Sequence, residues 1–366
     1  MKRFIPVFIF FILLSGCKKS ESDFIWEKSS ATGTAYFIET ASDSGFFACG
    51  EKGGNPYFIR FNKKRSQVLE FASENSGLFS SAWFDTSGYV AGGNSSGKIL
   101  LMRYSARGNM LWEKTIDAGF KVDFTYLFDT GHGTFLSVST ASADSAKSGT
   151  TNLYFVRFDT TGLVSAEKKT TETGFVAAND AALDNAGNIY LPLTRKTSFG
   201  NPKASVAKYN NLFQKIWETE LYNNPDFRAS SLSIRTDASG NVYVSGNTEV
   251  SGKDGLLTNS FLASLTGSGI LRWKKYLEYY NSGSAMVFDN SDNLLMLNRN
   301  CFIINRAVTA TGDDAGTIKS FSLCDSKNTN AFGRDIAVNY DSNILLAGSL
   351  GGNFYLALKT SVTFAP

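Results

Sequence analysis

The sequence predicts an all-β fold, a seven-bladed β-propeller of four-stranded blades, its ring closed by an N-terminal strand at residues 23–29 that completes the last blade. Three observations carry that prediction. Apolar residues alternate with period two along almost the whole chain, and no stretch keeps an apolar period of 3.6 over three turns. Two kinds of hairpin alternate in order along the chain. A segment reading FIWEKS at 24–29 is echoed by MLWEKT at 110–115, deep inside the chain.

The first kind of hairpin reads AALDNAGNIYLPL at 181–193, SIRTDASGNVYVSG at 233–246 and MVFDNSDNLLML at 286–297. Each has an apolar strand, a turn rich in Asp, Asn and Gly, and a second apolar strand. That turn composition suits the left-handed backbone that tight hairpins require. The second kind reads LLMRYSARGNMLWEKT at 100–115, SVAKYNNLFQKIWETE at 205–220 and FLASLTGSGILRWKKY at 261–276. Nine residues beyond Arg60, Arg103, Arg157, Lys208 and Ser264 stand Leu69, Trp112, Ala166, Trp217 and Trp273. A large aromatic at one fixed strand position is first of all a packing residue.

One hairpin of each kind makes a four-stranded unit, a-b-c-d. Units begin near residues 35, 78, 123, 180, 231, 284 and 333, a spacing of about 40–57 residues that matches a propeller blade. The last unit ends in FYLALKT at 354–360 and lacks its fourth strand, which residues 23–29 can supply. Closing the ring removes the exposed strand edges of an open arc. Trp26 is then expected to be buried against the last blade, near Phe354 and Leu356.

The N-terminus reads as a processing signal. Lys2 and Arg3 precede an apolar run at 4–14, and small residues follow before Cys17. The run is too short to span a bilayer, which takes roughly 20 apolar residues. Leu14-Ser15-Gly16-Cys17 resembles the lipobox of bacterial lipoproteins. The resemblance implies a signal peptide at 1–16, an acylated Cys17 with a tether at 17–22, and one propeller domain at 23–366. It also implies a bacterial envelope location, the outer membrane, with the membrane as a partner through the lipid. Losing Lys2 and Arg3 takes the formal charge from +3 to +1, which leaves no basic surplus for nucleic acid. A monomer is expected.

The D-x-x-G-N-x-Y-V-x-G pattern, from Asp184 to Leu193 and from Asp237 to Gly246, resembles the bacterial β-propeller (SBBP-type) repeat. The Gly-x-x-x-Trp ending, at Gly108 to Trp112 and Gly269 to Trp273, is similar to the quinoprotein-type repeat. Both resemblances imply the fold. Quinone-dependent dehydrogenases of that repeat type have eight blades, a calcium site and an adjacent cysteine pair. This chain has seven units and no adjacent cysteines, so neither that activity nor its cofactor carries over.

Residues for chemistry are few. The one histidine, His132, sits in a Thr-Gly-His-Gly turn, and Cys49, Cys301 and Cys324 form no zinc motif. Cys301 and Cys324 could pair in an exported protein or serve as small buried apolar groups. The run Asp289 to Asn293 lacks the glycine and the distal glutamate of a calcium loop. No cofactor, metal or catalytic residue is assigned.

Blade parity puts the a–b and c–d turns on one face, and these are short. The b–c and d–a connections share the other face and include the long segments 141–150, 195–202, 221–230, 247–258 and 277–283. Long irregular loops cost ordering entropy and often carry binding. The candidate binding residues on that face are Arg195, Lys196, Phe199, Tyr222, Asp226, Phe227, Arg228, Tyr279 and Tyr280. A binding or scaffolding module is the first expectation. The alternative is an envelope hydrolase or lyase acting on a glycan or peptide in the central channel. Asp, Glu, Arg and Tyr clustered at the channel mouth would favour the enzyme. An aromatic patch on the loop face, with the channel plugged by side chains, would favour the binder.

Overall fold

The computed structural model describes residues 26–85, 87–141, 150–173, 175–195, 201–222, 228–252, 255–277, 283–298, 304–307, 318–321 and 331–359. These residues form strands and turns and no helix. Antiparallel pairing of consecutive strands builds seven blades. Their first strands are Trp26–Thr40, Gly77–Asp85, Val122–Gly131, Phe175–Ala178, Arg228–Thr236, Gly283–Phe288 and Ala331–Val338, close to the expected unit starts.

The strand Trp26–Thr40 serves two blades. Its N-terminal half pairs with Asn353–Lys359, with Trp26 opposite Leu358 and Lys28 opposite Leu356. Its C-terminal half pairs with Phe46–Lys52, the second strand of blade 1. The fourth strand of blade 7 and the first of blade 1 are therefore one continuous strand, and residues 23–25 lie outside the described residues. Trp26 corrects an expectation. It is half-buried, and its ring meets Phe46 and Phe61 of blade 1 at centroid distances of 5.4 and 4.9 Å. One apolar cluster joins it to Phe354, Leu356 and Leu358, so Trp26 fills the seam between two blades instead of the interior of one.

The turn motif folds as its residues dictate. In blade 4 the Asp184 carboxylate accepts hydrogen bonds from the Ala186 and Asn188 amides at 3.0 and 2.9 Å, and Tyr190 Oη donates to it at 3.0 Å. Gly187 takes the left-handed conformation at φ 76° that the turn needs. Blade 5 repeats this with Asp237, Asn241 and Tyr243. In blades 6 and 7 Asp292 and Ser342 hold the glycine position at φ 58° and 61°, small polar residues in place of glycine.

The repeated tryptophan locks blade 2 to blade 3 and blade 4 to blade 5. Trp112 Nε1 of blade 2 donates to the Thr160 carbonyl of blade 3 at 2.9 Å, and Trp217 Nε1 of blade 4 donates to the Gly267 carbonyl of blade 5 at 3.2 Å. A Cβ on Gly162 would stand 3.2 Å from the Trp112 ring, and one on Gly269 would stand 2.8 Å from the Trp217 ring. The turn glycine of one blade thus makes room for the tryptophan of its neighbour. This contact accounts for the recurrence of Gly-x-x-x-Trp.

Candidate functional site

In blades 1, 2, 5, 6 and 7 the first strand holds one extra residue at the same place against the second strand: Tyr36, Ser80, Leu232, Ser284 and Arg334. Blades 3 and 4 also carry an extra residue, Asp123 and Val176, nearer the start of the first strand. Such a bulge bends the strand and re-aims a side chain. Glycines on the second strand make it possible in four blades. A Cβ on Gly50, Gly93, Gly246 or Gly348 would lie 2.0, 1.9, 2.1 or 2.0 Å from the carbonyl oxygen of Thr34, Leu78, Ser230 or Phe332. No larger residue fits, which gives the last glycine of the V-x-G ending its physical reason.

The bulged strands surround a central cavity of about 660 Å³ to which all seven blades contribute. Tyr36, Trp83, Tyr126 and Phe128 supply aromatic walls, while Glu39, Asp180, Arg235, Arg334 and Asp335 supply charge. The lining continues into the a–b turns through Asp129, Thr130 and Asn185, so the cavity opens on the short-turn face.

Ion pairing across blades organises its floor. Arg235 Nη1 of blade 5 donates to Asp180 Oδ2 of blade 4 at 2.7 Å, and that oxygen also accepts from Ser233 Oγ at 2.6 Å and the Ile234 amide at 3.0 Å. Asp335 of blade 7, only 7% exposed, accepts from the Ile38 amide of blade 1 at 3.0 Å. Burial pushes the Asp335 carboxyl up to about 7, against the pull of Arg235 and the Ile38 amide. Glu39 is also raised by desolvation. Its side chain is exposed where it lines the cavity, so desolvation acts on it less than on the buried Asp335. Burial would lower the Arg235 guanidinium, but Asp180, Asp335 and Glu39 outweigh it and hold the group charged. The Arg334 guanidinium lies over the Tyr36 ring at 5.2 Å, and Tyr36 meets Phe124 of blade 3 at 5.8 Å. A carboxyl titrating near neutrality, a fixed cation and aromatic walls can bind a polar ligand through an apolar face and can move a proton.

Of the nine candidates on the long-loop face, the structure describes Arg195, Tyr222 and Arg228. Lys196, Phe199, Asp226, Phe227, Tyr279 and Tyr280 lie outside the described residues, as do Cys17, Cys301 and Cys324. None of the three described candidates lines the cavity. Arg195 pairs with Glu218, Tyr222 packs under Lys274 of the next blade at 4.7 Å, and Arg228 stands 3.9 Å from Glu249. Cys49 is a buried free thiol whose pKa burial raises. His132 is exposed at φ 54° in its turn. The Asp289 carboxylate is taken up by the Ser291 and Asn293 amides of its own turn, both at 2.9 Å. Among the described residues no group of three or more His, Cys, Asp or Glu side chains is placed to hold a metal ion.

Sequence reasoning missed the cavity residues. A signal for the bulge was present in the V-x-G glycines, whereas nothing local singles out Glu39, Asp180, Arg235 or Asp335.

No protein-family model matches the chain, and no curated protein matches its sequence. Solved structures do match its fold. The Pan2 WD40 domain of Neurospora crassa aligns with TM-score 0.62 and 10% identity over 91% of this chain and 92% of that one. Virginiamycin B lyase from Staphylococcus aureus aligns with TM-score 0.61 and 9% identity over 91% and 99%. YCF48, in a structure bound to D1 peptide, aligns with TM-score 0.58 and 9% identity over 92% and 95%. At these identities the likeness establishes the β-propeller fold alone.

Proposed function

We propose that the chain is a binding propeller of the bacterial envelope, held to a membrane by an acylated Cys17, and that its ligand seats in the central cavity. One observation carries the choice of site. All seven blades contribute to a 660 Å³ cavity that joins charges of both signs to aromatic walls. Such a site suits a polar ligand with one apolar face. The geometry thus favours the short-turn face over the long-loop face that carries Arg195, Tyr222 and Arg228. Propellers of this fold include a lyase and a peptide-bound protein, so the fold accommodates both uses.

The second reading is an enzyme, a hydrolase or lyase acting on a glycan or peptide in the cavity. It is favoured by Asp335, whose carboxyl is pushed up to about 7 beside the charge of Arg235. A carboxylate so tuned is a fit general base, and a fixed guanidinium can stabilise a developing anion.

The test starts from lipidated protein purified out of envelope membranes, with retained small molecules extracted and identified by mass spectrometry. A cavity binder yields a stoichiometric ligand that is lost in Tyr36→Ala at unchanged melting temperature. An enzyme turns that ligand over and stops doing so in Asp335→Asn, with binding retained. A ligand kept in Tyr36→Ala and lost in Tyr222→Ala would move the site to the long-loop face.

A further inference from the structure

Most of the large apolar side chains that stay exposed among the described residues gather on one edge of the ring, with Phe332 and Tyr276 at the other. Val68, Leu111 and Ile216 are each the extra residue of a bulge in the fourth strand of blades 1, 2 and 4, and are 49, 55 and 56% exposed. Leu163 and Ile270 close the c–d turns of blades 3 and 5, accepting through their carbonyls from the Asp159 and Thr266 amides, and are 66 and 67% exposed. Five consecutive blades therefore present a large aliphatic group at the c–d turn end of the fourth strand, at the bulge in blades 1, 2 and 4 and two residues earlier in blades 3 and 5, where Ser165 and Arg272 hold the bulge. Single exposed apolar residues are ordinary on a protein surface, but a repeated rim of them marks an interaction surface.

The chain enters the ring at that same edge. Trp26 pairs with Leu358, next to the end of the strand Asn353–Lys359, and its ring lies 4.9 Å from Phe61, where the third strand of blade 1 ends at its c–d turn. Lys28 Nζ donates to Gln67 Oε1 at 2.6 Å, and Gln67 directly precedes Val68 on the rim. Only residues 18–25 separate Trp26 from Cys17, a reach of about 30 Å when extended. The cavity also opens on this face.

We propose that the c–d-turn rim of blades 1 to 5 rests on a lipid bilayer, its aliphatic side chains in the headgroup boundary and the cavity mouth turned toward the membrane. The short tether argues for this occupant, because a chain anchored at Cys17 and entering at the rim holds that rim against the lipid. The tether part of the proposal rests on the lipoprotein reading above. Partition of the rim itself does not need the acyl chains.

The test uses the mature chain with Cys17→Ser, so that no acyl group contributes, in co-sedimentation with phosphatidylcholine vesicles and with phosphatidylethanolamine/phosphatidylglycerol vesicles. Wild type is expected on both, and the triple variant Leu111→Gln, Ile216→Gln, Ile270→Gln loses at least about five-fold in partitioning at unchanged melting temperature. Phe332→Gln, at the start of a first strand and thus at the opposite end of the ring, leaves partitioning as it was. Binding to the anionic vesicles alone, or equal partitioning of wild type and triple variant, overturns the apolar rim. Absence of vesicle binding together with a dimer that the triple variant abolishes assigns the rim to a second copy of the chain and also overturns the proposal. A mature wild-type N-terminus without acyl groups would remove the anchor while leaving the vesicle result standing, so the two failures are told apart.

Discussion

The outermost and innermost strands of each blade repeat different things. At the outer strand one residue recurs: Trp112, Trp217 and Trp273 stand opposite Arg103, Lys208 and Ser264 in equivalent pairings, with Leu69 opposite Arg60 and Ala166 opposite Arg157. At the inner strand the geometry repeats and the residue does not. Bulges in one place carry Tyr36, Ser80, Leu232, Ser284 and Arg334 in five blades, and those of blades 3 and 4, at Asp123 and Val176, lie nearer the strand start. The seam between blades has one shape to fill, so the same side chain returns. A bulge needs only backbone room, so its side chain is free to differ. A ring of near-identical blades acquires an asymmetric cavity in this way, by varying side chains on a fixed frame.

The sharpest way to break this comparison is to deny the bulge its room. Gly93→Ala puts a Cβ 1.9 Å from the Leu78 carbonyl oxygen, a backbone atom that cannot step aside. A loss of about 4 kcal/mol or more, or failure to fold, is expected in chemical denaturation. Gly351→Ala, at φ 59° with no neighbour within 4 Å, should cost only about 1 kcal/mol. Equal losses at the two glycines would remove the steric basis of the bulge.

The seam comes next. Trp217→Ala should cost about 3 kcal/mol in urea unfolding, since a large ring leaves a cavity between blades 4 and 5. Trp217→Phe keeps much of the ring and loses the bond to Gly267, for about 1 kcal/mol.

A smaller effect is set by pH. The Asp335 carboxyl is pushed up to about 7 in the folded protein, above its ordinary value of 3.8. Between those values the folded state holds a proton that the unfolded state has released, so this group's contribution to stability declines as pH rises from about 4 to 7. Asp335→Asn should flatten that decline, raising stability at pH 8 relative to pH 5 by about 2 kcal/mol compared with wild type. Parallel pH profiles for the two proteins would contradict a buried carboxyl whose partners only partly offset its desolvation.

The smallest effect is expected at the bulge side chains themselves. Leu232→Ala and Asp123→Ala should each change the unfolding free energy by less than about 1 kcal/mol, because both side chains are only half-buried. Large losses there would mean that the inner ring is as constrained as the seam.

The same contrast explains what was legible in the sequence. Blade number, unit starts and the pairing partner of Trp26 follow from residues that recur, and recurrence shows in one chain without any structure. The turn from Asp184 to Asn188 was readable because its chemistry is local, with the carboxylate closing on amides two and four residues ahead. Asp180, Arg235 and Asp335 were not readable. They come from blades 4, 5 and 7, meet only when the ring closes around them, and share no motif. Loop length drew attention to the opposite face, where Arg195 and Tyr222 prove to be engaged with Glu218 and Lys274. The depth of the Trp26 seam escaped for a similar reason, since Phe46 and Phe61 belong to the blade that follows it in space.

The central claim is that the bulged inner ring, and not the long-loop face, holds the ligand. Crystals of protein purified from its native envelope, without added ligand, test it most directly. The expected result is non-water density in the central cavity, in contact with Tyr36 and with the Arg235 and Asp335 side chains. Water alone in the cavity, with ligand density beside Arg195 and Tyr222 instead, would contradict it.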